Sequence, residues 1–334
     1  MIRDSIVKDK KILFICPQFF NYEKEIKKEL EQQGAEIDYF DERFGNDFFS
    51  KSIIRLNLKF FKTFLSNNYY LNILKKINNK NYDFIFFISP ETITEKMLKK
   101  MKEKNKNSKF ILYTWDSFLN KPSCKYLMKY FDKKYSFDKQ DCKNTDIKFL
   151  PLFYLDKYNL KNENKNFKYD ISFVGTAHED RFFIINKLKE NLKNQKLNSY
   201  FYLYLQSKKI YYFRKIFDKR FKNAEIENFH FDILNHKEIV KISNNSKIIL
   251  DIQRDIQSGL TMRTIEIALG MRKKIVTTNK EIKEYDFYNE NNILIIDRKK
   301  PFVQKEFFDK EYEMVDEEIY KKYSLKKWLE NIFE

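Results

Sequence analysis

The chain has 334 residues, a formal net charge of +17, 34 Phe, 22 Tyr and only five Gly. Its length suits two domains of roughly 150 residues, and a hydrophobic content of 43% excludes a disordered chain despite the charge. The cationic excess fits phosphates, nucleic acid or an anionic membrane surface, against a background generally rich in Lys, Asn, Ile, Phe and Tyr.

Apolar runs at 11–16, 36–40, 82–88 and 110–113 read as strands, and helical periodicity at 22–33, 51–77 and 94–104 separates them. The first run is too short for a signal peptide, and no stretch approaches the roughly 18 apolar residues of a membrane span. This β-α-β-α order predicts a mostly parallel sheet in a first Rossmann-like domain, 1–155. A helix at 122–131 and a short segment around 134–137 continue the pattern.

Within that domain, Lys51, Arg55, Lys59 and Lys62 lie on one helical stripe, and Ile53, Ile54, Leu56, Phe60, Phe61, Phe64 and Leu65 spread over a broad apolar face. Such a segment suits either a core helix with a solvated lysine face or a helix lying on an anionic membrane. Tyr113-Thr114-Trp115-Asp116-Ser117 puts Asp116 beyond the carboxyl end of a strand, where it serves as a general base or as a turn cap. Asp138 and Asp141 have the spacing of helix-capping residues.

The polar, Asn-rich stretch within 151–169 reads as the connection to a second Rossmann-like domain, 166–312. Its strands are expected at 169–175, 200–205, 247–250, 273–277 and 292–296, and a terminal helical piece, 313–334, is expected to pack back on the first domain.

Two loops of the second domain carry the chemistry. Phe173-Val174-Gly175-Thr176-Ala177-His178-Glu179-Asp180-Arg181 opens a strand through Gly175 into a helix beginning near His178, with His178 and Arg181 as available cations. Loops outside the carboxyl ends of strands in open α/β sheets are where ligands bind. Ser258-Gly259-Leu260-Thr261 delivers Thr261 to a helix N-terminus, where unpaired N–H groups and the helix dipole suit a phosphate. Arg263 and Glu266, three residues apart on that helix, offer a guanidinium for a diphosphate and a carboxylate for ribose hydroxyls. Gly270 is expected to end the helix.

The 246–279 segment resembles the donor-binding half of GT-B glycosyltransferases, especially the CgeB-like and bacterial polysaccharide or lipopolysaccharide biosynthesis families. The resemblance implies two Rossmann-like domains facing a cleft and a nucleotide-sugar donor bound by Gly175, Thr176, His178, Arg181, Gly259, Leu260, Thr261, Arg263 and Glu266. It places Glu266 on the ribose and a basic residue near the FVG turn on the diphosphate. Many retaining members carry two glutamates eight positions apart, and Ser258 stands eight before Glu266, so no stereochemical outcome carries over. The first domain is then the acceptor side, with Asp116 the candidate base, Trp115 a candidate platform for a sugar, and a glycan or lipid-linked acceptor.

No Walker loop, no G-x-G-x-x-G and no D-x-D occurs, which disfavours a P-loop NTPase, a dinucleotide dehydrogenase and metal-dependent sugar transfer. His178, His230 and His236 have no zinc spacing, and the scattered Cys16, Cys124 and Cys142 fit a reducing compartment. The expectation is a metal-independent, cofactor-free transferase in the cytoplasm, at the inner face of the cytoplasmic membrane, without a nucleic-acid partner. A nonenzymatic binder of nucleic acid or anionic surfaces and a sugar-nucleotide epimerase of the same architecture are the alternatives.

Overall fold

A computed structural model describes residues 5–56, 58–158, 166–177, 180–255 and 257–334, without the side chains of Phe48, Arg55 and His236. Residues through Leu152 together with Leu325–Glu334 form one compact unit, and Phe153–Ser324 form the other.

In the first unit the order is β1 (Lys11–Cys16), α1 (Tyr22–Gln32), β2 (Glu36–Asp41), α2 (Phe48–Arg55), α3 (Lys59–Lys76), β3 (Phe84–Ile88), α4 (Glu95–Lys104), β4 (Lys109–Thr114), α5 (Pro122–Leu127), β5 (Lys133–Ser136), α6 (Lys139–Cys142) and β6 (Lys148–Phe149). All strands are parallel, in the order β2-β1-β3-β4-β5-β6, so strand order reverses between β1 and β3. Ile12 to Cys16 and Ile85 to Ile88 are fully buried, as expected of central strands covered on both faces.

The second unit runs β7 (Tyr169–Thr176), α7 (Arg181–Asn194), β8 (Ser199–Tyr204), α8 (Lys208–Phe217), α9 (His236–Asn244), β9 (Ser246–Asp251), a π-helix at Thr264–Gly270, β10 (Lys274–Thr277), β11 (Ile293–Ile295), α10 (Lys305–Asp309) and α11 (Glu317–Lys322). Its parallel sheet has the order β11-β10-β9-β7-β8, reversing between β7 and β9.

Two local expectations are corrected. The helix expected at 51–77 is two, because the chain turns at Leu56 and Leu58 N–H returns to the Ile53 carbonyl at 3.1 Å. The terminal helical stretch is also two, α11 and α12 (Leu325–Phe333), and only α12 joins the first unit. Gly270 ends its helix as expected, and the left-handed residue that follows is Arg272 (φ 51°). A Cβ on Gly270 would come within 3.0 Å of the Tyr154 and Tyr158 Cβ atoms, so close packing requires the glycine.

Helix α12 covers part of the first sheet through its aromatic face. Trp328 meets Tyr113 edge-on at 4.7 Å between ring centroids, and Phe333 meets Phe84 and Phe86 at 5.1 and 5.5 Å. Lys133 Nζ and Tyr135 Oη donate to the Phe333 and Asn331 carbonyls at 3.2 and 3.1 Å, satisfying groups the helix end leaves open. Trp328→Ala should therefore destabilise this unit by about 3–5 kcal/mol. The expected readout is a lower urea midpoint, with the loss larger than for Lys326→Ala on the same helix.

Candidate functional site

Strand β7 alternates so that Phe173 and Gly175 point to the same face of the sheet, beside the reversal of strand order. Two cations approach this point. Arg181, the first residue of α7, lies with its guanidinium carbon 5.8 Å from the Phe173 ring centroid, and Arg263 lies 5.2 Å from the same centroid. Arg181 Nε and Nη1 donate to the Ile252 and Thr176 carbonyls at 2.9 and 3.0 Å, joining the two loops on either side of the reversal. A Cβ on Gly175 would fall 2.8 Å from the Phe173 ring and 3.3 Å from Arg263 Nη1, so only glycine permits this approach.

The loop after β9 is fixed by Asp251, the buried last residue of that strand. Its carboxylate accepts from Thr264 Oγ1 at 2.7 Å and Thr261 Oγ1 at 3.3 Å, while Thr261 Oγ1 also accepts the Thr264 N–H at 3.2 Å. Thr261 is thus the helix cap expected of it. Gly259 and Leu260 are buried in the loop, and Asn279 Nδ2 donates to the Ser258 carbonyl at 3.0 Å. The helix that follows is π-wound, with Met271 N–H bonded to the Glu266 carbonyl at 2.9 Å, five residues apart. Glu266 is 4% exposed within it. His178 lies outside the described residues.

One further cation organises these loops. Arg298, just beyond β11, makes a bidentate pair with Asp180 (3.0 and 2.7 Å) and donates to the Gln253 carbonyl at 3.2 Å and Thr278 Oγ1 at 3.0 Å. A single guanidinium thereby connects the segments that follow β7, β9, β10 and β11. The available signal was a charged residue shortly after a strand's carboxyl end.

In the first unit Asp116 follows β4 and pairs with Lys121 Nζ at 3.2 Å, while Lys121 also approaches Glu91 at 3.6 Å and Arg43 pairs with Glu91 at 3.5 Å. Burial lowers the Lys121 pKa, but the charges of Asp116 and Glu91 outweigh it and leave the ammonium favoured. Trp115 is half-buried against Phe19 at 5.8 Å. Phe20, Asn21 and Ser89, in the segments after β1 and β3, all have positive φ (49°, 64° and 42°), which places backbone strain beside the strand-order reversal. Asp138 caps α6 through the Gln140 N–H at 2.9 Å, and Asp141 accepts the Phe118 N–H at 3.1 Å, so these two carboxylates hold backbone.

Glu42 was not anticipated. It is fully buried, its Oε1 accepts the N–H groups of Glu91, Thr92 and Ile93 at 2.8, 2.5 and 3.1 Å, and its Oε2 has no hydrogen-bond partner among the described residues. It therefore anchors the loop that carries Glu91.

The basic segment resolves into a buried and an exposed part. Ile53 and Ile54 are core, whereas Leu56, Phe60, Phe61 and Phe64 are exposed alongside Lys51 and Lys59, with Lys62 half-buried and the Arg55 side chain outside the described set. No group of residues suited to a metal ion occurs among the described residues, and no described helix is long and apolar enough to cross a membrane.

No family model matches the chain, and no curated protein matches it in sequence. Solved structures do. The chain is similar to the UDP-GlcNAc 2-epimerase of Methanocaldococcus jannaschii in complex with UDP-GlcNAc and UDP, at a TM-score of 0.53 and 13% identity, covering 93% of this chain and 98% of that one. Anabaena HepE in complex with UDP-glucose matches at a TM-score of 0.51 and 11% identity over 97% of this chain and 94% of that one. A UDP-N-acetylglucosamine 2-epimerase matches at 0.52 and 10% over 95% and 94%. The fold is of the GT-B type, with two Rossmann-like α/β domains.

Burial raises the Glu42 carboxyl to about 7, against the opposing effects of the Thr92 and Glu91 N–H groups and Lys121. The folded protein then keeps a proton that an unfolded glutamate releases above its ordinary 4.5. Stability from this group is fullest below that value and falls as pH rises toward 7, by up to roughly 3 kcal/mol. Glu42→Gln should flatten that decline, measured as the urea midpoint between pH 4.5 and 7.5.

Proposed function

We propose that the protein is a metal-independent glycosyltransferase that takes a sugar from a nucleotide-sugar donor and passes it to a hydroxyl of a glycan or glycolipid in bacterial surface polysaccharide or lipopolysaccharide synthesis. The reading rests on the convergence of Arg181 and Arg263 on Phe173 and Gly175, where strand order reverses. Fixed cations at that point suit a donor diphosphate and stabilise the charge that grows on it as the bond to the sugar breaks. Gly259, Leu260 and Thr261 line the phosphate side through backbone, Thr176 closes the opposite loop, and Glu266 holds the ribose. The acceptor oxygen forms the new bond to the anomeric carbon, the nucleoside diphosphate leaves with the old bonding pair, and Asp116 takes the hydroxyl proton.

A nucleotide sugar as ligand is supported by the similar epimerase, bound to UDP-GlcNAc and UDP, and by HepE, bound to UDP-glucose. Transfer rather than epimerisation is favoured by the first unit's exposed, lysine-flanked face on α2 and α3, which suits an acceptor held in an anionic membrane.

Thermal-shift screening with UDP, GDP, CDP, CMP and dTDP should show selective stabilisation by one of them. Arg263→Ala and Glu266→Ala should each weaken that ligand by roughly 10- to 100-fold, the loss expected of a charge-assisted hydrogen bond. Stabilisation by none of the five, or conversion of the donor to an epimer without an acceptor, would overturn the assignment.

A further inference from the structure

Helix α8 turns large apolar groups outward as well as inward, where Ile210 and Tyr211 meet the core. Its inward side carries cations: Arg214 Nη1 donates to the Ala177 carbonyl at 2.6 Å and stacks over Phe221 at 5.1 Å, and Lys215 Nζ donates to the Ala224 carbonyl. Buried Tyr211 anchors the same side through its hydroxyl on Ala224, at 3.0 Å. The outward side carries the large apolar groups, with Tyr212, Phe213, Ile216 and Phe217 between 58% and 75% exposed. Spacings of one, three and one residues put these four on one continuous stripe, and the Phe213 and Phe217 rings touch at 4.8 Å.

Charge frames this stripe at both ends. Exposed Lys208 and Lys209 precede it by one helical turn, and exposed Lys219, Arg220 and Lys222 follow it. Between Lys208 and Lys222 there are seven cations and one carboxylate, Asp218, which pairs with Arg220 at 2.8 Å. The whole chain has 65 Lys and Arg against 48 Asp and Glu, so the excess here is local.

We propose that α8 is an interfacial helix by which the second unit lies on an anionic bilayer, with Tyr212, Phe213, Ile216 and Phe217 entering the headgroup boundary and Lys208, Lys209, Lys219 and Lys222 meeting lipid phosphates. An apolar stripe alone would fit a protein partner equally well. Cations at both ends, with the one carboxylate inside 208–222 paired to Arg220, match a surface whose negative charge surrounds an apolar interior, and they outnumber Glu225 and Glu227, the acidic groups that also lie near Tyr211. The proposal does not depend on the transferase reading or on the α2–α3 face, since it rests on side chains of the second unit alone.

The test uses the full-length protein and vesicles of phosphatidylcholine with or without about 30 mol % phosphatidylglycerol. Wild type should partition at least tenfold more strongly onto the anionic vesicles, and the double variant Phe213→Ser/Phe217→Ser should lose at least tenfold of that binding with its melting temperature unchanged. Phe213→Trp reports on this helix alone: its emission should shift to the blue on anionic vesicles and be quenched by brominated lipid. No shift and no quenching would overturn the proposal even if the protein pellets through another surface. So would a wild-type dimer that the double variant turns into a monomer without any vesicle binding, or tight binding of single-stranded RNA that anionic vesicles do not compete.

Discussion

The second unit depends on holding two guanidinium groups against one aromatic ring at the point where its sheet reverses direction. Gathering like charges at one ring carries a repulsive cost, set against the π face of Phe173 and the Thr176 and Ile252 carbonyls that hold Arg181, while the missing Cβ of Gly175 leaves room for Arg263. Arg cannot relieve the strain by losing its proton, so the charge persists at any physiological pH. Under the proposed function, a diphosphate there meets donors already fixed in place, the form of electrostatic assistance that needs no reorganisation when charge moves. Arg298 contributes at one remove, tying the Asp180 that precedes Arg181 to the backbone after β9.

The first unit treats charge in the opposite way. Arg43, Glu91, Lys121 and Asp116 form a chain of alternating sign beyond its strands. Glu42 holds the backbone under that chain by three N–H groups.

Much of the architecture was legible because parallel strands buried on both faces write themselves as short apolar runs, as Leu13-Phe14-Ile15 and Ile248-Ile249-Leu250 do. The glycine loops were legible as well, since Gly175 stands where a strand opens into a helix and Thr261 where a helix needs a cap. What escaped was mostly made at a distance. Arg298 finds Asp180 118 positions away, and Glu42 meets the 91–93 backbone about fifty positions on, so no local pattern announces either. The π-winding of Thr264–Gly270 also escaped, because a hydrophobic pattern of seven residues cannot tell a fifth-neighbour hydrogen bond from a fourth.

The packing of α12 bears on how the chain is made. Phe84, Phe86 and Tyr113 belong to strands near the beginning, yet the rings that cover them, Trp328 and Phe333, are joined to the growing polypeptide only after the entire Phe153–Ser324 unit. During synthesis the early sheet must wait with a greasy face open to its surroundings. A ribosome emits residues in order, so this is a window in which holdase chaperones have something to grasp and in which premature termination leaves a sticky remnant.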